Sequence, residues 1–209
     1  MKIGIEAQRI FRKKKHGMDV VALELIRNLQ LIDTENEYVL FIKPDEDYMA
    51  IKESANFKII EIETGFYPFW EQFALPAAAK KAGCQILHCT SNTAPVSTSI
   101  PLVITLHDII YMESSYSKIL QGSGTNYQKF GNAYRRMFIP WVIKKCRKII
   151  TVSHFEKNRI GQFFEMAGDS RLTTVYNGVS EHFKPVIDQV ELHRVKEKYH
   201  LPGRFLFFI

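Results

Sequence analysis

Short apolar runs alternate with amphipathic stretches along nearly the whole chain. Lys2–Ala7, Tyr38–Ile42, Phe57–Ile62, Gln85–Cys89, Leu102–Leu106, Lys148–Val152 and Leu172–Val175 read as seven largely apolar strands. Strands of that kind are buried on both faces. Asp19–Leu31 carries apolar residues at Val20, Leu23 and Ile26, with a second set at Ala22, Leu25 and Leu29. That is helical spacing, and Asp19 stands where a cap is needed. Pro68 sits where a helix can start, and Phe69–Lys81 continues it up to Gly83. Tyr134–Cys146 reads as a helix that Pro140 should kink. His154–Met166 and Val190–Tyr199 are the remaining helices, and Phe205–Ile209 reads as one more strand.

Strands and helices in this alternation predict an α/β fold. The expected form is a Rossmann-like, doubly wound parallel sheet in a three-layer α/β/α arrangement. Ligands of such sheets bind at the carboxyl ends of the strands. That rule gathers polar residues from distant parts of the chain. Glu6, Gln8 and Arg9 follow the first strand, Thr90, Ser91 and Asn92 the fourth, and His107 and Asp108 the fifth. Ser153 follows the sixth, and Tyr176, Asn177 and Gly178 the seventh. All are expected along one edge.

Composition changes this picture little. The chain has 209 residues, 46% hydrophobic and 24% charged, as an ordinary globular domain has. No apolar run approaches the ~20 residues of a membrane span, and Met1–Ile5 enters a strand without a signal-peptide plan. Cys84, Cys89 and Cys146 follow no metal-ligand spacing and read as reduced thiols of a cytoplasmic protein. A Gly-x-Gly-x-x-Gly fingerprint is absent, which argues against a dinucleotide oxidoreductase.

Charge adds more. The net charge of +6 is concentrated in two clusters. Arg9, Arg12, Lys13, Lys14, Lys15 and His16 form one; Arg135, Arg136, Lys144, Lys145, Arg147 and Lys148 form the other. Sugar diphosphates and anionic lipid are suitable partners, and the second cluster is equally readable as the solvated face of a helix. No helix-turn-helix, zinc-finger or RNA-binding signature accompanies them, so nucleic acid is not an expected partner. Gly17 and Met18 open the first long helix. Backbone N–H groups there suit a phosphate, and Gly equally suits a turn.

Several of these segments together resemble the N-terminal half of a group 1 (family 4) retaining glycosyltransferase of GT-B architecture. They are Leu102-Val-Ile-Thr-Leu-His-Asp108, Thr151-Val-Ser153, Asn177-Gly-Val179 with Phe183-x-Pro185, and Trp70-Glu-Gln72 with Leu75-Pro76. The resemblance implies transfer of a hexose from a nucleotide diphosphate sugar to a saccharide or lipid-linked saccharide acceptor, in the building of surface polysaccharide. It implies no metal and no cofactor. His107 would lie beside the transferred sugar and the acceptor, with Asp108 orienting its ring or starting the next segment. Gly17 and Met18 would face the donor phosphates. Arg9, Trp70, Glu71, Asn92, Ser153 and Asn177 would border the acceptor, the aromatics near Trp70 being equally readable as core. Residues 1–200 would form the acceptor-side domain, and 201–209 would begin a donor-binding domain that is not here, so this chain alone would be inactive. The protein would be cytoplasmic, with peripheral contact to an anionic membrane through its basic clusters. Half of a nucleotide-sugar 2-epimerase, or a non-catalytic sugar- or partner-binding module, are the alternatives.

Overall fold

The computed structural model describes residues 1–113, 115–117, 125–179 and 185–206. They fall into two compact units, Met1–Tyr176 and Asn177–Ile209. The first holds a seven-stranded sheet of β1 (Lys2–Glu6), β2 (Glu37–Ile42), β3 (Phe57–Glu61), β4 (Ile86–Cys89), β5 (Leu102–Leu106), β6 (Lys148–Thr151) and β7 (Leu172–Thr174). The strand order is β3-β2-β1-β4-β5-β6-β7, and every neighbouring pair is parallel. The order reverses between β1 and β4. In sheets of this kind that switch point is where the outgoing loops part and a ligand crevice forms.

Both faces of the sheet are covered, as parallel strands require. Alternate residues of β2 feed separate cores. Tyr38, Leu40 and Ile42 join Ile5, Phe57 and the Ala22, Leu23 and Ile26 stripe of helix α1 (Gly17–Ile32). Val39 and Phe41 join Trp70, Leu87, Ile104, Leu106, Ile139 and Ile149. This is the predicted three-layer doubly wound arrangement, and all seven strands lie where the apolar runs place them.

The helices depart from expectation at their starts. α1 begins at Gly17, two residues early, and Asp19 acts within its first turn by accepting the His16 N–H at 2.9 Å. The predicted Phe69–Lys81 helix is α2, α-helical over Tyr67–Phe69 and Leu75–Lys81 with a π-helical stretch, Trp70–Ala74, between. Pro76 has no amide for the i−4 ladder, and the wider π turn accommodates that gap. A one-turn helix α3 (Ile110–Glu113) was not foreseen. The helix expected from Tyr134 is α4, Asn126–Lys145, and it runs on through Pro140. α5 covers His154–Phe163.

The second unit contains α6 (Gln189–Lys198), where Asp188 Oδ1 accepts the Val190 N–H at 2.9 Å. Of the expected Phe205–Ile209 strand, Phe205 and Leu206 are not in a strand, and 207–209 lie outside the described residues, as does Phe183. Among the described residues no helix is long and apolar enough to cross a membrane.

Candidate functional site

The crevice at the β1/β4 divergence is held together by Glu6, the last residue of β1. Its carboxylate is buried and accepts the Gln8 N–H at 3.2 Å and the Thr90 N–H at 3.2 Å. The Thr90 hydroxyl donates to the Glu6 carbonyl at 2.8 Å. One side chain thus fixes the outgoing loops of both strands.

His107 follows β5 and leans over this clasp. Its Nε2 lies 3.0 Å from the Thr90 carbonyl. A carbonyl only accepts, so the proton is on Nε2 and Nδ1 keeps its lone pair. Burial lowers the pKa of His107, against the smaller upward pulls of the Thr90 bond and Asp108, so near neutral pH the ring is uncharged. The loop is positioned by Asn92, which accepts the His107 N–H on Oδ1 at 2.6 Å. Asn92 is buried with φ 60°, a left-handed conformation that Asn tolerates better than most residues. Asn92 therefore acts on His107 and shows little surface of its own to a ligand. Asp108 accepts the Ile110 N–H at 3.1 Å and starts α3; Thr90, not Asp108, orients the imidazole.

Trp70 and Glu71 take different places from those expected. Trp70 has no exposed surface, and its Nε1–H donates to the Ile62 carbonyl at 3.1 Å. It is a core residue and not a wall of the cleft. Glu71 is also fully buried. Its carboxylate accepts from Tyr67 at 2.7 Å, Gln72 at 2.9 Å, Thr93 at 3.0 Å and Tyr134 at 2.6 Å. Burial raises its pKa, and the bonds from Tyr134 and Tyr67 hold it back. The π turn makes this network possible by carrying Trp70, Glu71 and Gln72 into the interior in succession. Ser153 caps α5, its hydroxyl accepting the Glu156 N–H at 3.1 Å. Asn177 belongs to the second unit and is exposed.

Beside the crevice lies a cavity of about 590 Å³ between the loop after β1, the start of α1 and the first turns of α4. Arg9, Arg12, His16, Asp19, Tyr127 and Arg135 are among its lining residues. Arg9 is only 9% exposed and packs over the Tyr67 ring at 4.9 Å. Arg12 donates to the Tyr127 hydroxyl at 2.9 Å and stands 4.0 Å from the Asp19 carboxylate. Met18 also lines the cavity. Gly17 has no atom within 4 Å of where a Cβ would stand, so close packing does not demand glycine there.

The basic loop is less free than its sequence suggests. Lys13 pairs with Glu46 at 2.9 Å and Lys15 with Asp47. Lys14 is its exposed lysine without an ion pair among the described residues. The second cluster divides likewise. Arg136 donates to the Met112 carbonyl, Lys145 to Val96 at 2.9 Å and Lys148 to Ser170 at 3.0 Å. Arg135 turns into the cavity. Tyr67 and Tyr127 were missed as site residues, Tyr127 because its helix starts at Asn126 and not at Tyr134, while Arg135 lay inside the expected helix but was read only as part of its basic cluster. The signal was present in Thr125-Asn-Tyr-Gln128, a capping box in which Thr125 accepts the Gln128 N–H at 3.2 Å and Gln128 accepts the Thr125 N–H at 2.9 Å. Among the described residues, no three or more His, Cys, Asp and Glu side chains are grouped to hold a metal ion.

The family model described as Glycosyltransferase Family 4 matches residues 16–183. A comparison with curated proteins finds no match. Among solved structures, Anabaena HepE in complex with UDP and glucose is 13% identical with a TM-score of 0.57, covering 95% of this chain and 50% of its own. A glycosyltransferase from Rickettsia africae is 14% identical with a TM-score of 0.54, at 97% and 50% coverage. At this identity the likeness concerns the fold. The chain spans about half the length of either structure.

Proposed function

The chain belongs to glycosyltransferase family 4, and from that premise we propose that it is the acceptor-side half of a GT-B enzyme. The enzyme transfers a hexose from a nucleotide diphosphate sugar to a saccharide or lipid-linked saccharide, with retention and without a metal, in surface polysaccharide synthesis at the cytoplasmic side of the membrane. The observation that carries the reading is His107. It is an uncharged imidazole at the carboxyl end of β5, with Nε2 engaged on Thr90 and Nδ1 left as an acceptor. In that state Nδ1 receives the hydrogen bond of a sugar hydroxyl and aligns the transferred sugar with its acceptor. The Glu6 clasp and Asn92 hold the loop that presents it. The diphosphate grip belongs to a second domain, so the isolated 209 residues bind acceptor without transferring sugar. The family match and the half-length coverage of the similar structures support this assignment.

The test uses the product of the full gene with a panel of nucleotide diphosphate hexoses and lipid-linked acceptors. His107→Gln should lower turnover by about a hundredfold, as loss of one transition-state hydrogen bond costs ~3 kcal/mol. Its melting temperature should stay near that of the parent. Parental turnover combined with a large loss of stability would make His107 a structural residue and remove the reading's main support.

A further inference from the structure

Among the described residues, Arg9 and Arg135 are both without an acceptor. No hydrogen bond or ion pair of either guanidinium is formed among the described residues, and the Nε of each is buried without a partner. Arg9 is buried and Arg135 half-buried, and although Glu6 and Asp19 offset the charge of Arg9 from beyond ion-pair distance, neither buried Nε has the acceptor that such groups ordinarily find. Both residues line the same cavity, although one follows β1 and the other lies on α4. Arg12 adds a third guanidinium, and Asp19 is the one carboxylate among the described lining residues, with Glu6 acting on Arg9 from behind the lining. Tyr127 registers the resulting field: burial alone would raise its pKa, yet Arg9, Arg12 and Arg135 outweigh burial and hold it below the ordinary phenol value.

We infer that this arginine cavity is a binding site for a phosphate ester, held by Arg9 and Arg135 with Arg12 beside them. Guanidinium forks match phosphate oxygens in pairs, and three of them suit a diphosphate better than a single carboxylate. Aromatic surface adjoins the charge. Phe130 lines the cavity and packs 6.1 Å from Phe66, the 60% exposed residue that precedes α2, and Phe69 and Phe73 stand exposed on α2 itself. A phosphate joined to an apolar chain would use both surfaces. The phosphate can come from two sources, the donor nucleotide or a prenyl-linked acceptor. The choice between them rests on the acceptor-side reading above; the phosphate chemistry does not.

The experiment titrates the purified 209-residue chain calorimetrically with inorganic pyrophosphate, UDP, farnesyl diphosphate and farnesol. Pyrophosphate should bind, more weakly as salt rises, and Arg135→Gln and Arg9→Gln should each weaken it about tenfold or more. Farnesyl diphosphate should bind tighter than pyrophosphate, and farnesol much more weakly. UDP binding tighter than both, with the same loss in the variants, would assign the phosphate to the donor and overturn the acceptor source while leaving the phosphate site in place. Unchanged pyrophosphate affinity in Arg135→Gln, or no binding by the parent at millimolar concentration, would overturn the site itself. Neither result would touch the transfer assay by which the enzymatic reading stands or falls. Should Arg9→Gln fail to fold, Arg135→Gln, which is partly exposed, carries the test. Its melting temperature without ligand should equal or exceed the parent's, because it relieves repulsion among the clustered guanidinium groups. A merely structural arginine would give the opposite.

Discussion

Mild acid should destabilise this protein through His88. His88 lies in β4 with Nε2 2.8 Å from the Thr105 hydroxyl of β5. Burial, with a smaller contribution from nearby His107, lowers its pKa from 6.5 to about 4. The unfolded chain therefore takes up this proton first. Stability from a neutral His88 is complete above the unfolded pKa and is lost as pH falls toward the folded one. Between about pH 7.5 and about pH 4.5 that loss amounts to roughly 2.5 kcal/mol. His88→Gln removes the proton site. The assay is urea unfolding of parent and variant at both pH values, followed by the fluorescence of the buried Trp70. Whatever Gln costs in packing is common to both pH values and cancels in the double difference. Glu71, whose pKa burial raises, acts in the opposite sense, stabilising as pH falls, and it too cancels. The variant should lose about 2.5 kcal/mol less than the parent on acidification. Equal losses in the two proteins would show that His88 is not held neutral, and the burial argument would fail.

Glu71→Ala should destabilise by about 3–5 kcal/mol, because Tyr67, Gln72, Thr93 and Tyr134 lose a shared buried acceptor; an unchanged urea midpoint would refute this. Gly4→Ala should cost about 1–3 kcal/mol by overpacking. Its Cβ would stand 2.9 Å from a Phe41 ring carbon and 3.2 Å from Cys84 Sγ and Leu87 Cδ1, and thermal melting would measure the loss.

The fold was legible because parallel strands advertise themselves. Runs such as Leu102–Leu106 and Ile149–Thr151 are apolar on both faces, and the polar residue that ends each marks the ligand edge. His107 was found by that rule. Trp70 was not correctly placed because an aromatic next to a glutamate looks alike in a core and in a sugar cleft. The difference was made by the π turn, which depends on a ladder shift and not on composition. Arg135 was hidden for another reason. In sequence it is one of several basic residues on a helix, and only the turns that begin at Thr125 show which of them faces inward. Glu6 and Thr90 stand 84 positions apart, and nothing local to either announces the clasp.

The order of the strands also sets an order of assembly. β1, α1, β2 and β3 lie within the first 61 residues and bury a core of their own, from Ile5 to Phe57. They can pair as soon as they leave the ribosome. β1 nevertheless presents an open side until Ile86–Cys89 has been made, because its second neighbour is β4. Closing that seam draws together segments more than 80 residues apart, a slow step for any chain. The loop that carries His107 comes later still, and its hydrogen bond needs Thr90 already in place. A nascent chain thus exposes one edge of a finished half-sheet while it waits for the other half. The contacts around the crevice wait on that seam, so substitutions that slow it should trap a folded half-sheet without a site.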